Sequence, residues 1–306
     1  MKKFRAGIIA LLLKLSGKII PVLGKLAKTL KVGKVALFGA SVASYAYMFT
    51  WTFAVMIIVL LFVHEYGHIW AMKRCGMKTK GIYFIPFLGG AAVTDEQFPS
   101  RQAETYIALM GPIFGLVLSA VVAVIYYETQ MPMLAAAASW MAMVNLFNLL
   151  PINPLDGGRV FKSVIFSVSN RLGLIYLGVG IVLATFIAFW AGLALFVFLI
   201  IVGVIEFAFE RQRIKRNEAR LAELDEMDKQ ALNALWTQPQ NKAQLLSTIK
   251  RIDEEKEKFA VVPKMNSQQI WLAALSYIAL VAVLWALMDI MKHVPGADLA
   301  RQIFLS

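Results

Sequence analysis

The chain has 306 residues, of which 59% are hydrophobic and only 16% charged, with a mean hydropathy of +0.66. That composition excludes an ordinary soluble domain and fits an all-α polytopic integral membrane protein. The net charge of +12 calls for no nucleic-acid partner, because basic residues gathered at one face of a bilayer record topology and attraction to anionic lipid, and the single cysteine, Cys75, excludes an internal disulfide.

Residues 1–34 form a basic N-terminal segment. Lys2, Lys3 and Arg5 precede an apolar run that Lys14 and Lys18 cut short, so the pattern imitates a signal peptide without a clean small-residue cleavage site. With Lys14, Lys18, Lys25 and Lys28 on one helical face, the segment reads either as an amphipathic helix in the inner leaflet, broken at Pro21, or as a plain basic topology anchor. Apolar runs follow at about 35–49 and 52–72, separated by Thr50-Trp51-Thr52, which favours a hairpin over one long tilted helix.

The second run contains His64-Glu65-Tyr66-Gly67-His68. Residues four apart share a helix face, so both imidazoles can reach one metal ion with Glu65 beside them. A solvated helix face could carry the same string. The neighbours here run Met56-Ile57-Ile58-Val59-Leu60-Leu61-Phe62-Val63, however, and an unpaired carboxylate at that depth would cost several kcal/mol. Cys75, two turns on, is a conceivable further ligand, although its place beside Lys73 and Arg74 suits a small buried residue better.

Residues 81–93 are too broken by Pro and Gly for a membrane helix yet too apolar for a free loop. Spans follow at about 103–126, containing Gly111-Pro112-Ile113-Phe114-Gly115, and at 133–150. The latter closes on Asn148-Leu149-Leu150-Pro151-Ile152-Asn153-Pro154-Leu155-Asp156-Gly157-Gly158-Arg159. Two prolines there prevent a regular helix, and irregular backbone at membrane depth survives only when buried in protein or lining a wet cavity. Asp156 could complete a two-His, one-Asp site with a fourth position for water; alone, the run could equally be a Pro/Gly turn. His293 follows the last span and is expected on the opposite side of the membrane.

Taken in order, these motifs resemble the site-2 protease family of intramembrane zinc metalloproteases, over roughly residues 52–165. The resemblance implies Zn2+ held by His64, His68 and Asp156, Glu65 as the catalytic glutamate, and Asn148 contacting substrate or helping to stabilise the oxyanion. It makes Gly111 and Pro112 part of a helix-packing motif. It also makes 81–93 resemble a re-entrant β-hairpin whose edge, around Gly89 and Gly90, meets an extended substrate; a loop lying on the surface is the alternative. The implied partner is a membrane-spanning substrate protein, cut where its helix unwinds.

Further spans are expected at 172–188, 193–208 and 270–290, so residues 35–208 make a transmembrane region and 269–306 a terminal helix with its tail. Between them, 209–268 is charged and reads as two cytoplasmic helices broken at Gln238-Pro239-Gln240, either a solvated connector or a platform for a cytoplasmic regulator. Of the 31 basic residues, 29 fall in 1–34, 73–102, 150–171 and 209–268. The positive-inside rule then predicts seven crossings with a cytoplasmic N-terminus, in the plasma membrane. Two other readings stay open: a catalytically silent relative that binds membrane clients, and a metal transporter.

Overall fold

A computed structural model describes residues 31–48, 50–85, 89–191, 194–237, 239–259 and 263–297. Residues 1–30, which carry most of the amphipathic reading of 1–34 and its break at Pro21, lie outside the described residues, and 31–34 form the first turn of the first described helix. The elements in chain order are α1 (Lys31–Met48), α2 (Trp51–Arg74), β1 (Gly81–Ile85), β2 (Gly89–Val93), α3 (Arg101–Thr129), α4 (Pro132–Asn148), α5 (Asp156–Val168), α6 (Asn170–Ala191), α7 (Ala194–Thr237), a 3-10 turn at Pro239–Asn241, α8 (Lys242–Phe259) and α9 (Ser267–Lys292).

Local chemistry sets these boundaries. The Thr50 hydroxyl accepts from Phe53 N at 3.3 Å and Ser100 Oγ accepts from Ala103 N at 3.0 Å, so each caps a first turn whose N–H groups have no helical partner. Pro132 opens α4, and Asn266 with Gln269 forms a reciprocal capping box at α9. Among the described residues four helices, α2, α3, α6 and α9, are long and apolar enough to cross a bilayer, and the protein is an integral membrane protein. α1 and α4, with 18 and 17 residues, reach only about 27 and 26 Å at 1.5 Å per residue, a little under the hydrocarbon thickness.

α3 packs on α2, α4 and α5, while α9 covers α4. Close approach depends on small side chains: Ala135, Ala136, Ala138 and Ala142 of α4 are fully buried. Leu280 and Leu284 of α9 fill the space against Ala108, Leu109 and Leu149. α1 and α2 are separate helices packed together, which agrees with the hairpin reading of the first apolar run; α6 and α7 are likewise separate and packed together.

One departure from expectation is α7. The boundary expected near 209 is not a helix boundary: α7 runs 44 residues without a break, from an apolar first half into a charged second half that pairs with α8 through Arg220–Glu255 and Lys256–Asp228. The break does fall at Pro239, where a proline ring cannot continue a helix.

A second departure is a buried ionic network. Arg101 Nη1 donates to Glu104 at 3.0 Å and Nη2 to Glu210 at 3.1 Å. Lys162 Nζ bridges Glu104 at 2.6 Å and Glu206 at 2.7 Å, and Arg213 joins Glu210 at 2.6 Å. Three cations face three carboxylates, so the buried charges compensate one another and staple α7 to α3 and α5. Burial alone would lower the Lys162 pKa, but the Glu104 and Glu206 carboxylates outweigh it and hold the ammonium above the usual lysine range. The count of basic residues reads Arg101, Lys162 and Arg213 as topology alone, and Glu206 lies inside a run read only as an apolar span.

Candidate metal centre

His64 and His68 lie one turn apart on α2, both buried. Asp156 is the first residue of α5, reached through the irregular run 149–155, whose exposed carbonyls are satisfied from neighbouring helices. The Tyr277 hydroxyl donates to Leu149 O, and the Tyr176 hydroxyl donates to Pro151 O at 2.9 Å. The Asn153 amide donates to Glu206, tying this run to the ionic network. Gly157 and Gly158 are needed for close approach, because a Cβ at either would strike the backbone of Leu149 or of Ile152 and Asn153. Asp156 therefore stands on a helix start pressed against the loop that precedes it.

The three side chains converge. Asp156 Oδ2 lies 3.0 Å from His64 Nε2 and 3.3 Å from His68 Nε2, and the two Nε2 atoms are 3.2 Å apart. A tetrahedral ion with bonds of about 2.0–2.1 Å requires ligand atoms separated by about 3.3 Å. Among the described residues these three make up the one His/Cys/Asp/Glu group arranged to hold a metal.

Tautomers decide what the group can do. His68 Nδ1 is 2.7 Å from Ile107 O, a carbonyl that can only accept, so Nδ1 carries the proton. The Asn145 amide nitrogen donates to Met141 O at 2.8 Å, which turns Asn145 Oδ1 towards His64 Nδ1 at 2.9 Å and makes that nitrogen a donor too. In neutral rings both Nε2 atoms are then bare lone pairs, aimed at each other and at a carboxylate oxygen. Three acceptors in that arrangement repel unless a cation lies among them, so the donor set fits a divalent metal.

Asn145 was not singled out from the sequence; its signal is its place one turn before Asn148 on the same helix. Replacing it with Ala would leave the His64 Nδ1–H without an acceptor in a fully buried position. We expect Asn145→Ala to weaken metal binding about 10- to 100-fold, read by competition with a chromophoric chelator. Gly111, expected to serve helix packing, does more. A Cβ there would collide with both imidazoles, and one at Gly115 with the Asn145 amide, so the Gly-x-x-x-Gly face of α3 provides the space in which the cluster sits.

Glu65 is buried beside the cluster, with Oε2 accepting from Ala92 N at 2.7 Å. β1 and β2 pair antiparallel from Gly81↔Val93 to Ile85↔Gly89, and Ala92 directs its N–H away from β1 towards Glu65. Gly90 lies so close that a Cβ would come within 2.6 Å of Glu65 Cγ. A cavity of about 490 Å³ joins His64, Glu65, His68 and Asp156 to Asn148, Gly89 and Gly90, so every residue singled out for metal, catalysis or substrate lines one space. Cys75 does not join it: it is the half-buried C-cap of α2, and burial pushes its thiol pKa up. His293 is an exposed cap of α9.

Residues 52–138 match the model of peptidase family M50. Over that stretch the chain resembles that family. It is similar to a zinc metalloprotease of Methanocaldococcus jannaschii, 30% identical over 122 residues that make up 37% of this chain and 35% of the relative. Proteins of Mycobacterium tuberculosis (33% identity, 37% of this chain and 30% of the relative) and of Synechocystis sp. (31% identity, 40% and 34%) also carry zinc metalloprotease names. The chain thus spans about a third of the length of these curated relatives, and the stretch matched by the family model includes both histidines and Glu65.

Proposed function

We propose that this chain is an M50-type intramembrane zinc metalloprotease that hydrolyses a peptide bond within or near a transmembrane helix of a substrate protein. The observation that carries this reading is the meeting of three bare ligand atoms with a buried glutamate in one cavity bordered by a strand. His64, His68 and Asp156 would hold Zn2+, which when bound lowers the pKa of a water and polarises a carbonyl. Glu65 holds its Oε2 on the Ala92 N–H and has Oε1 available among the described residues, so Oε1 takes the proton of the attacking water and returns it to the leaving amine. The outward edge of β2 at Gly89 and Gly90 receives the substrate as an added strand, restoring main-chain hydrogen bonds that an unwound helix has lost, and Asn148 contacts it across the cavity. A re-entrant placement of the hairpin brings that edge to membrane depth.

The test is cleavage of a membrane-embedded peptide by the purified chain, before and after metal removal by a chelator and again after adding one equivalent of Zn2+. Loss and recovery of cleavage in step with metal content supports the protease. Metal bound without cleavage points to the silent or transporting alternatives.

The basic segments favour seven crossings in the plasma membrane, with the N-terminus and residues 209–262 cytoplasmic, the latter open to a regulator. In a Cys75→Ser background, a cysteine at Gln230 is expected to react with an impermeant thiol reagent only from the cytoplasmic face, and one at Glu128 only from outside. Reaction of position 128 from the cytoplasm overturns this topology.

A further inference from the structure

A second groove, of about 620 Å³, opens on the outer face of α2, away from the metal cluster, with α1 and β1 as its other walls. Its wall on α2 is a helical stripe: Phe62, Tyr66 and Ile69 at i, i+4 and i+7, ending at i+11 in Lys73. α1 runs with the same polarity of chemistry, Lys34 at its start and Phe38 one turn further along. Phe38 meets Phe84 of β1 edge-on at 5.3 Å and closes the groove floor, while Lys80 stands at the entry to β1. Three ammonium groups therefore rim the end of the groove where α1 begins and α2 finishes, and exposed aromatic surface fills the part lying deeper along both helices. Phe62, Tyr66 and Phe38 are each 41 to 51% exposed.

The cations are only partly engaged. Lys34 Nζ donates to Lys80 O at 2.7 Å and lies 4.3 Å over the Tyr83 ring, and Lys80 pairs with Asp95. The Lys73 side chain, exposed at the end of the stripe, makes no hydrogen bond or ion pair among the described residues. Among the described residues, Asp95 is the one carboxylate paired with these three ammoniums, so the described rim carries a net positive charge.

We propose that this groove binds an anionic phospholipid, its phosphate on Lys73 and Lys34 and its acyl chains along Phe38, Phe62 and Tyr66. A soluble anion would use the rim but not the aromatic wall, and a neutral lipid the wall but not the rim; an anionic phospholipid alone matches both, and in the right order of depth. The site adjoins β1, whose partner strand holds Glu65, so the lipid contacts the back of the same hairpin that borders the cavity.

The test uses the full chain in detergent, incubated with equal amounts of phosphatidylglycerol and phosphatidylcholine, with retained lipid quantified by mass spectrometry. Wild type retains phosphatidylglycerol preferentially. Lys34→Gln/Lys73→Gln weakens that retention about 30-fold, and Lys73→Gln alone, which removes no hydrogen bond or ion pair among the described residues, about fivefold. Arg211→Gln/Lys215→Gln, an equal loss of charge on α7, leaves it unchanged. Equal retention by wild type and both groove variants overturns the proposal, as does an equal loss in the α7 control. Displacement by inorganic phosphate beyond that caused by sodium chloride of the same ionic strength assigns the rim to a free anion and overturns the lipid reading. Because the readout is bound lipid, the outcome is separate from whether the metal centre cleaves peptides.

Discussion

Glu65→Gln is expected to leave metal content and fold intact and to lower cleavage of a membrane-embedded peptide by at least about 100-fold, the lower range for removal of a general acid-base group. The amide keeps the length of the side chain, and its carbonyl oxygen can still accept from Ala92 N, so the tether to β2 survives. What is lost is the capacity of the second oxygen to take a proton. A drop in rate with unchanged metal stoichiometry therefore isolates proton transfer from site assembly. Unchanged cleavage in this variant, with contaminating proteases excluded, would mean that the zinc-hydrolase mechanism is wrong.

Removing a ligand should do the reverse and strip the metal. His64→Ala, His68→Ala and Asp156→Ala are each expected to fall from one zinc per chain to nearly none after dialysis against a weak chelator, a loss in affinity exceeding the 100-fold upper range for outer-shell changes. Asp156→Asn is the sharpest of the series, because it keeps the side-chain shape on the first turn of α5 and removes only the charge opposite the two imidazoles. Full zinc occupancy in both Asp156 variants would remove that residue from the ligand set and leave two histidines in need of another partner.

The sequence by itself determined the membrane class, the helices at 52–72, 103–126, 172–188 and 270–290, and the pairing of His64 with His68, because each rests on short-range regularity: apolar length or a four-residue repeat along one helix. For 81–93 the residues themselves show only that Gly and Pro exclude a helix and the apolar residues between them a free loop; the hairpin was an expectation from the family resemblance, and the paired strands match it. Tertiary structure alone decided the rest. No local pattern marks Asn145 as the acceptor that orients His64, or says that Gly111 touches imidazoles and not merely another helix. Glu104, Lys162, Glu206 and Glu210 look like scattered charges until α3, α5 and α7 bring them together. These roles arise between elements distant in the chain, where close packing fixes which side chains meet, and periodicity along one helix carries no record of what the facing helix presents. The charged half of α7 shows the same limit in reverse: its change of composition near 209 is a change of surroundings along a single helix, from apolar to charged, with no break in the backbone.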